Sequence, residues 1–291
     1  PTAATASGTP TTYTVTITDS LSATANNTFA LTINAALATT VSVGTKALTI
    51  NTAAVSFTPV TASAGTTPYH YSVAPALPAG LSLDPASGAI TGIPTVAAAS
   101  APYTVTAMDA AGATSAQTFT LVVNPALVAT RAIAAKIFTQ GAPVAAFVPV
   151  TAAGGTTAYA FAIAPALPTG LVLNPATGAI SGTPTATHST TSHIITVSDA
   201  AGATANQPFS LTINGVLTAT PSSSGKVFTA GTAITPFAPV TAAGGTPNYS
   251  YTVAPALPTG LTLSTSSGVL SGTPAGASLL QAYTITVLDD G

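Results

Sequence analysis

The chain has 291 residues, of which only 3% are charged, with four Lys and Arg and a net charge of −2; an ordinary soluble domain carries roughly 25% charge. So few cations cannot neutralise a phosphate backbone, which excludes a nucleic-acid partner. Cys is absent, which removes disulfides, thiolate metal sites and cysteine nucleophiles together.

The mean hydropathy of +0.56 comes from Ala and Val. Pro, Gly and Thr interrupt every apolar run before the roughly 18 residues of a spanning helix are reached, so no membrane span is expected in this segment. No basic stretch followed by an apolar run stands at the start. The chain opens in the middle of a repeating unit, so this says nothing about location.

Residues Tyr13 to Asp19 and Phe29 to Asn34 read as the last two strands of a unit that begins before the chain does. From residue 35 the unit runs in full. Pro59-Val60-Thr61 returns as Pro149-Val150-Thr151 and Pro239-Val240-Thr241, and Ala76-Leu77-Pro78-Ala79-Gly80-Leu81 returns at Ala166 and Ala256 with Thr169 and Thr259 in place of Ala79, always 90 positions later. A period this long with the same turn residues and apolar anchors signals an array of small domains.

Within a unit the apolar residues alternate. Tyr69, Tyr71 and Val73 form the inward face of one strand. Pro78-Ala79-Gly80 and Gly92-Ile93-Pro94 bend the chain on either side of a short strand pair whose Leu81, Leu83 and Ile90 enter the core. Tyr103, Val105 and Ala107 face inward with Thr104 and Thr106 outward, and Phe119, Leu121 and Val123 repeat the pattern. Alternation in β-branched and aromatic residues is the mark of half-buried strands. Asp109-Ala110-Ala111-Gly112, repeated from Asp199, joins the last two strands by a type I turn. Roughly seven short strands per unit, with no helical period, predict an all-β chain of tandem immunoglobulin-like β-sandwich repeats of 90 residues. The expected domains are 1–34 (the end of a repeat), 35–124, 125–214, and 215–291 (a repeat lacking its last strand).

The string from Leu77 to Thr95, followed by Tyr103-Thr104-Val105-Thr106 and the Asp-x-x-Gly turn, returns at Leu167–Thr185 and Leu257–Ala275. It resembles the bacterial He_PIG-type repeats ("Putative Ig" domains), which are related to dystroglycan-type cadherin-like domains. The resemblance covers nearly the whole chain. It implies a tandem module of large secreted or cell-surface bacterial proteins, serving as stalk or adhesive spacer.

Subtracting the period tests each chemically interesting residue. His193 shares a column with Tyr13, Tyr103 and Tyr283, where a Tyr ties the sandwich corner to nearby backbone; His70 aligns with Ala160 and Ser250, and His188 with Ala98 and Ser278. The three His therefore read as surface or corner residues rather than ligands. Asp19, Asp109, Asp199 and Asp289 each open the hairpin turn, Asp84 and Asp290 are the remaining acids, and there is no Glu. One Asp per repeat cannot supply the six to eight oxygens of calcium, and its expected role is to cap an exposed turn.

Lys46, Lys136 and Lys226 keep the period, as do Asn34, Asn124 and Asn214. Such a set invites comparison with the isopeptide cross-links of pilus sandwiches. The favoured reading is a Lys with a buried stem and a linker Asn bonded to backbone. No phosphate loop, paired carboxylates or Ser/His/Asp arrangement recurs.

No catalytic, cofactor-binding or metal-binding residue is therefore expected, nor an enzyme. The expected function is a structural or adhesive segment of a long extracellular bacterial protein, an adhesin, filament or sheath at the cell surface. Its partners would be itself or neighbouring repeats in a fibre, with cell-surface or matrix components. The low charge favours packing between chains. The alternative is a carbohydrate- or protein-binding module of a secreted enzyme; the identical loops 151–156 and 241–246 argue against it. The cut at both ends of the repeat makes a window on a longer array the expectation.

Overall fold

The computed structural model describes residues 7–290. Every regular element among them is a β-strand, and no helix is long and apolar enough to cross a membrane. The chain divides into two compact units. The first holds Pro1–Val128 with Gly154–Ala158 and Asp199–Ala203; the second holds the rest.

In the first unit, residues 35–124 contain nine strands rather than roughly seven; the expected short pair is Leu81–Leu83 with Ile90–Gly92, and four further strands lie ahead of His70. One sheet has the order Thr45–Thr49, Thr114–Asn124, Ala98–Met108, His70–Ala74. Its first pair is parallel and the others are antiparallel. Facing it are Ala54–Phe57, Ile90–Gly92 and Leu81–Leu83. Ala38–Val41 pairs separately with Val60–Ser63.

The alternation sets the core. Tyr103, Val105, Ala107, Phe119, Leu121, Val123, Ile90 and Val60 are all buried, and Phe119 packs edge-on against Phe57 with ring centroids 6.2 Å apart. Leu81 and Leu83, expected in the core, are half-buried at its margin.

Glycine is required at the two bends. Gly80 (φ 91°) and Gly92 (φ 122°) lie back to back, and a Cβ on either would strike the carbonyl of Ile93 or of Gly80. The Gly80 carbonyl accepts from the Ile93 N–H at 3.0 Å, which closes the bend.

Ahead of this sandwich, Thr11–Thr18 and Thr24–Leu31 form a hairpin in which Tyr13 pairs with Phe29. Its second strand starts earlier than the apolar column suggested, and both strands are exposed.

In the second unit the same strands return. Ala135–Thr139, Thr204–Asn214, His188–Ser198 and Ala160–Ala164 form one sheet, opposite Val144–Phe147, Ile180–Gly182 and Leu171–Leu173. Every strand bound from 128 to 214 equals its counterpart in 38–124 plus 90. The next repeat keeps Thr218–Pro221 with Val240–Ala243, Leu261–Leu263 with Leu270–Gly272, and Ser250–Ala254 with Thr284–Leu288. Its stretch Lys226–Thr229, a strand in the other two repeats, is not one here.

Candidate functional site: a carboxylate bonded across successive repeats

The hairpin Asp does more than cap its turn. Asp109 Oδ1 accepts the N–H groups of Ala111 (3.0 Å) and Ala113 (2.9 Å), as the turn sequence predicts. Asp109 and Asp199 are nevertheless only 5% and 7% exposed, which corrects the expectation of an exposed turn acid. Oδ2 is the reason. In the first unit, Asp199 Oδ2 accepts the Thr156 N–H at 2.8 Å and the Thr49 hydroxyl at 2.6 Å. Thr49 lies 150 residues earlier, in the preceding repeat.

Counting protons fixes the direction of the network. The one Thr49 hydroxyl proton goes to Asp199, so at the 2.9 Å contact between Thr49 and Thr156 the Thr156 hydroxyl donates. Asn124 Nδ2 in turn donates to Thr156 Oγ1 at 3.0 Å. The chain of donors therefore runs Asn124, Thr156, Thr49, Asp199 and ends on the single negative charge. Bonds that end on an ionised acceptor are the stronger kind.

The second unit repeats this arrangement. Thr139 donates to Asp289 Oδ2 at 2.6 Å, meets Thr246 Oγ1 at 3.1 Å, and the Thr246 N–H reaches Asp289 Oδ2 at 2.7 Å. At Asp109 the Thr66 N–H takes the same place at 2.9 Å and Asn34 Nδ2 donates to Thr66 Oγ1 at 3.0 Å.

The identical Gly-Gly-Thr loops now have a physical reason. Gly155 sits at φ 63°, and a Cβ there would stand 2.6 Å from Asp199 Oδ2. Only a residue without a side chain lets the loop close over the carboxylate and present the Thr N–H to it.

The charge is stabilised accordingly. Burial is the largest single influence on Asp199 and pushes its carboxyl up. Thr49, the Thr156 N–H and the Ala203 and Ala201 N–H groups together outweigh it and hold the group below 3.8. The Thr66 N–H leads in lowering Asp109, and the Ser87 and Ala86 N–H groups lower Asp84 within its own turn.

This site is built for donors, not for a cation. Calcium requires converging oxygen acceptors, whereas here N–H and O–H groups already occupy Asp199. Among the described residues no three His, Cys, Asp or Glu gather.

The remaining candidates separate. Lys46 Nζ lies 5.1 Å from the Phe57 ring centroid, Lys136 5.9 Å from Phe147 and Lys226 5.3 Å from Phe237. Each head rests on an aromatic face instead of beside an Asn. The register places Lys46 opposite Leu121 and Asn124 opposite Thr49, three residues or about 10 Å apart along the strand. Asn34 and Asn124 bond a Thr hydroxyl rather than the expected backbone.

His70 is exposed and pairs across the sheet with Met108. His193 is fully buried, its Nδ1 2.8 Å from the Pro165 carbonyl. His188 is drawn against it instead of lying on the surface, the rings 6.0 Å apart. Column subtraction missed both the carboxylate network and this pair, because it compares equivalent positions and is blind to different positions brought together.

Two facing sheets, alternating inward residues and a hairpin closing each unit define a protein of tandem immunoglobulin-like sandwiches. The chain belongs to the family described as "Putative Ig domain", which matches residues 36–124, 125–214 and 216–291. Among solved structures it is similar to "I-band fragment I67-I69 from titin", at 14% identity over 88% of this chain and 94% of that one, TM-score 0.40. It is also similar to "Drosophila OTK, extracellular domains 3-5", at 15% identity over 70% of this chain and 71% of that one, TM-score 0.36. Mouse cadherin-23 EC22-24 aligns at 15% identity over 88% of this chain and 94% of that one, TM-score 0.28. No curated protein matches the chain.

Proposed function

We infer that this chain is a structural or adhesive segment of an extracellular bacterial protein, in which tandem sandwiches act as the stalk, fibre or sheath. The observation that supports this reading is the donor chain ending on Asp199 and its copy at Asp289, both bonded at 2.6 Å to a Thr of the preceding repeat. A residue set spent on joining one repeat to the next, at a constant 90-residue offset, serves continuity of an array. Each oxygen of the buried Asp199 carboxylate already accepts two hydrogen bonds, which suits it to a structural role. The surface carries so little charge that association of like chains meets little electrostatic resistance.

Negative-stain electron microscopy of the native protein tests the reading. Filaments, or strings of beads attached to cells, are the expected outcome. Dispersed particles that bind a glycan or a soluble protein saturably, with no assembled form, would overturn it in favour of a binding module.

A further inference from the structure

His188 and His193 are five residues apart on the strand His188–Ser198. In an unbroken strand an odd separation puts two side chains on opposite faces. The ladder is not unbroken. The register slips between His188 and Thr191, so that His188 pairs with Ile213 and His193 with Phe209, two buried positions of the same inward column. The bulge brings both imidazoles to one side, with ring centroids 6.0 Å apart and planes inclined by 30°.

Both Nε2 atoms are buried and have no hydrogen-bond partner. For His193 the tautomer follows from its neighbour: Nδ1 lies 2.8 Å from the Pro165 carbonyl oxygen, which only accepts, so Nδ1 carries the proton and Nε2 presents a bare lone pair. An imidazole with Nδ1–H anchored on a carbonyl and Nε2 unoccupied is the arrangement of a metal-ligating His. The neighbouring repeats leave no such pair, having Ala98 with Tyr103 and Ser278 with Tyr283 at these columns.

We propose that His188 and His193 form a two-nitrogen site for a soft monovalent d10 cation, of the silver(I) or copper(I) class. Metal–nitrogen bonds of about 2.0–2.1 Å place an ion about 3.2 Å from each ring centroid, so two imidazoles on one ion have centroids about 5.2 Å apart at a tetrahedral angle and about 6.4 Å apart when linear; the observed 6.0 Å corresponds to a bent two-coordinate angle of about 140°. Two neutral nitrogens complete the coordination of such an ion. A divalent zinc ion would need two further ligands, and no third His, Cys, Asp or Glu joins the pair among the described residues. It would also bring two positive charges beside buried Phe209, Leu211 and Ile213 with no carboxylate to offset them. This departs from the sequence-based expectation that no transition metal is held.

The chain is well suited to the test, since it has no Cys and one Met. That Met108 pairs with the exposed His70, so the measurements use a His70→Ala background, which installs the residue found at position 160. Isothermal titration of this full chain with silver nitrate in chloride-free buffer should give one ion per chain. His188→Ala and His193→Tyr, each installing the residue of the sister repeat 35–124, should reduce the stoichiometry to none while circular dichroism stays unchanged. In the parent, nitrogen-15 spectra should show both Nε2 resonances, and neither Nδ1, shifted on silver addition. No uptake by the His70→Ala chain, uptake that persists in both variants, or zinc(II) binding there as tightly as silver(I) would each overturn the proposal. Should His193→Tyr fail to fold, the His188→Ala variant decides alone.

Discussion

Replacing Thr49 by Val isolates the bond between repeats from the packing around it. Thr49 is 1% exposed, and valine fills nearly the same space, so the lost element is the hydroxyl that donates to Asp199 at 2.6 Å. A bond to an ionised acceptor contributes about 1.5–3 kcal/mol, and the Thr156 hydroxyl loses its acceptor at the same time. A loss of about 2 kcal/mol corresponds to about 4–8 °C in the midpoint of a unit of 150–250 residues. The pH dependence carries the sign. Folding lowers the Asp199 carboxyl below 3.8, so its contribution is present above that value and disappears as pH falls through the folded value. Thr49→Val weakens one cause of the lowering. The difference between wild type and variant should therefore be full at pH 7 and shrink as the pH is lowered towards 2, measured by urea unfolding followed by circular dichroism. Thr49→Ser, which keeps the hydroxyl, should lie close to wild type. An equal loss at both pH values, or a loss below about 0.5 kcal/mol at pH 7, would show that Thr49 acts through packing and that the donor chain is incidental.

Three further outcomes follow from the same geometry. Gly155→Ala places a Cβ 2.6 Å from Asp199 Oδ2 at φ 63°, whereas Gly112→Ala at φ 84° meets nothing within 4 Å; thermal melts should show about 1–2 kcal/mol for the second, from backbone conformation alone, and a clearly larger loss for the first. Phe119→Ala, which empties a position 1% exposed, should cost about 3–5 kcal/mol in denaturant unfolding, and a value near 1 would mean the sandwich core lies elsewhere. Lys46→Met retains the stem and removes only the charge 5.1 Å from the Phe57 centroid; stability should change by less than about 1 kcal/mol, whereas an unfolded variant would point to a structural bond of Lys46 that the ring contact does not explain.

The alternation of Phe119, Leu121 and Val123 marked a strand because side chains on a pleated chain switch faces at each residue, a rule that acts within a few positions. The 90-residue period marked an array because equivalent residues stay in register however the units are arranged. The Asp109-x-x-Gly112 turn was legible for the same local reason. Sequence by itself thus determined strands, turns, repeat and family. Strand number was undercounted, since strands of four residues such as Ala38–Val41 and Ala54–Phe57 are too short to show a period. What only the tertiary structure decided was partnership. Thr49 and Asp199 are 150 residues apart, neither is unusual in its own column, and their bond exists because folding carries one repeat's strand end to the next repeat's Gly-Gly-Thr loop. His188 and His193 meet only because a bulge reverses the parity that an ideal strand would impose. Local steric rules are written along the chain; the burial of Asp199 and the meeting of the two imidazoles depend on distances in space, which no single stretch of sequence contains.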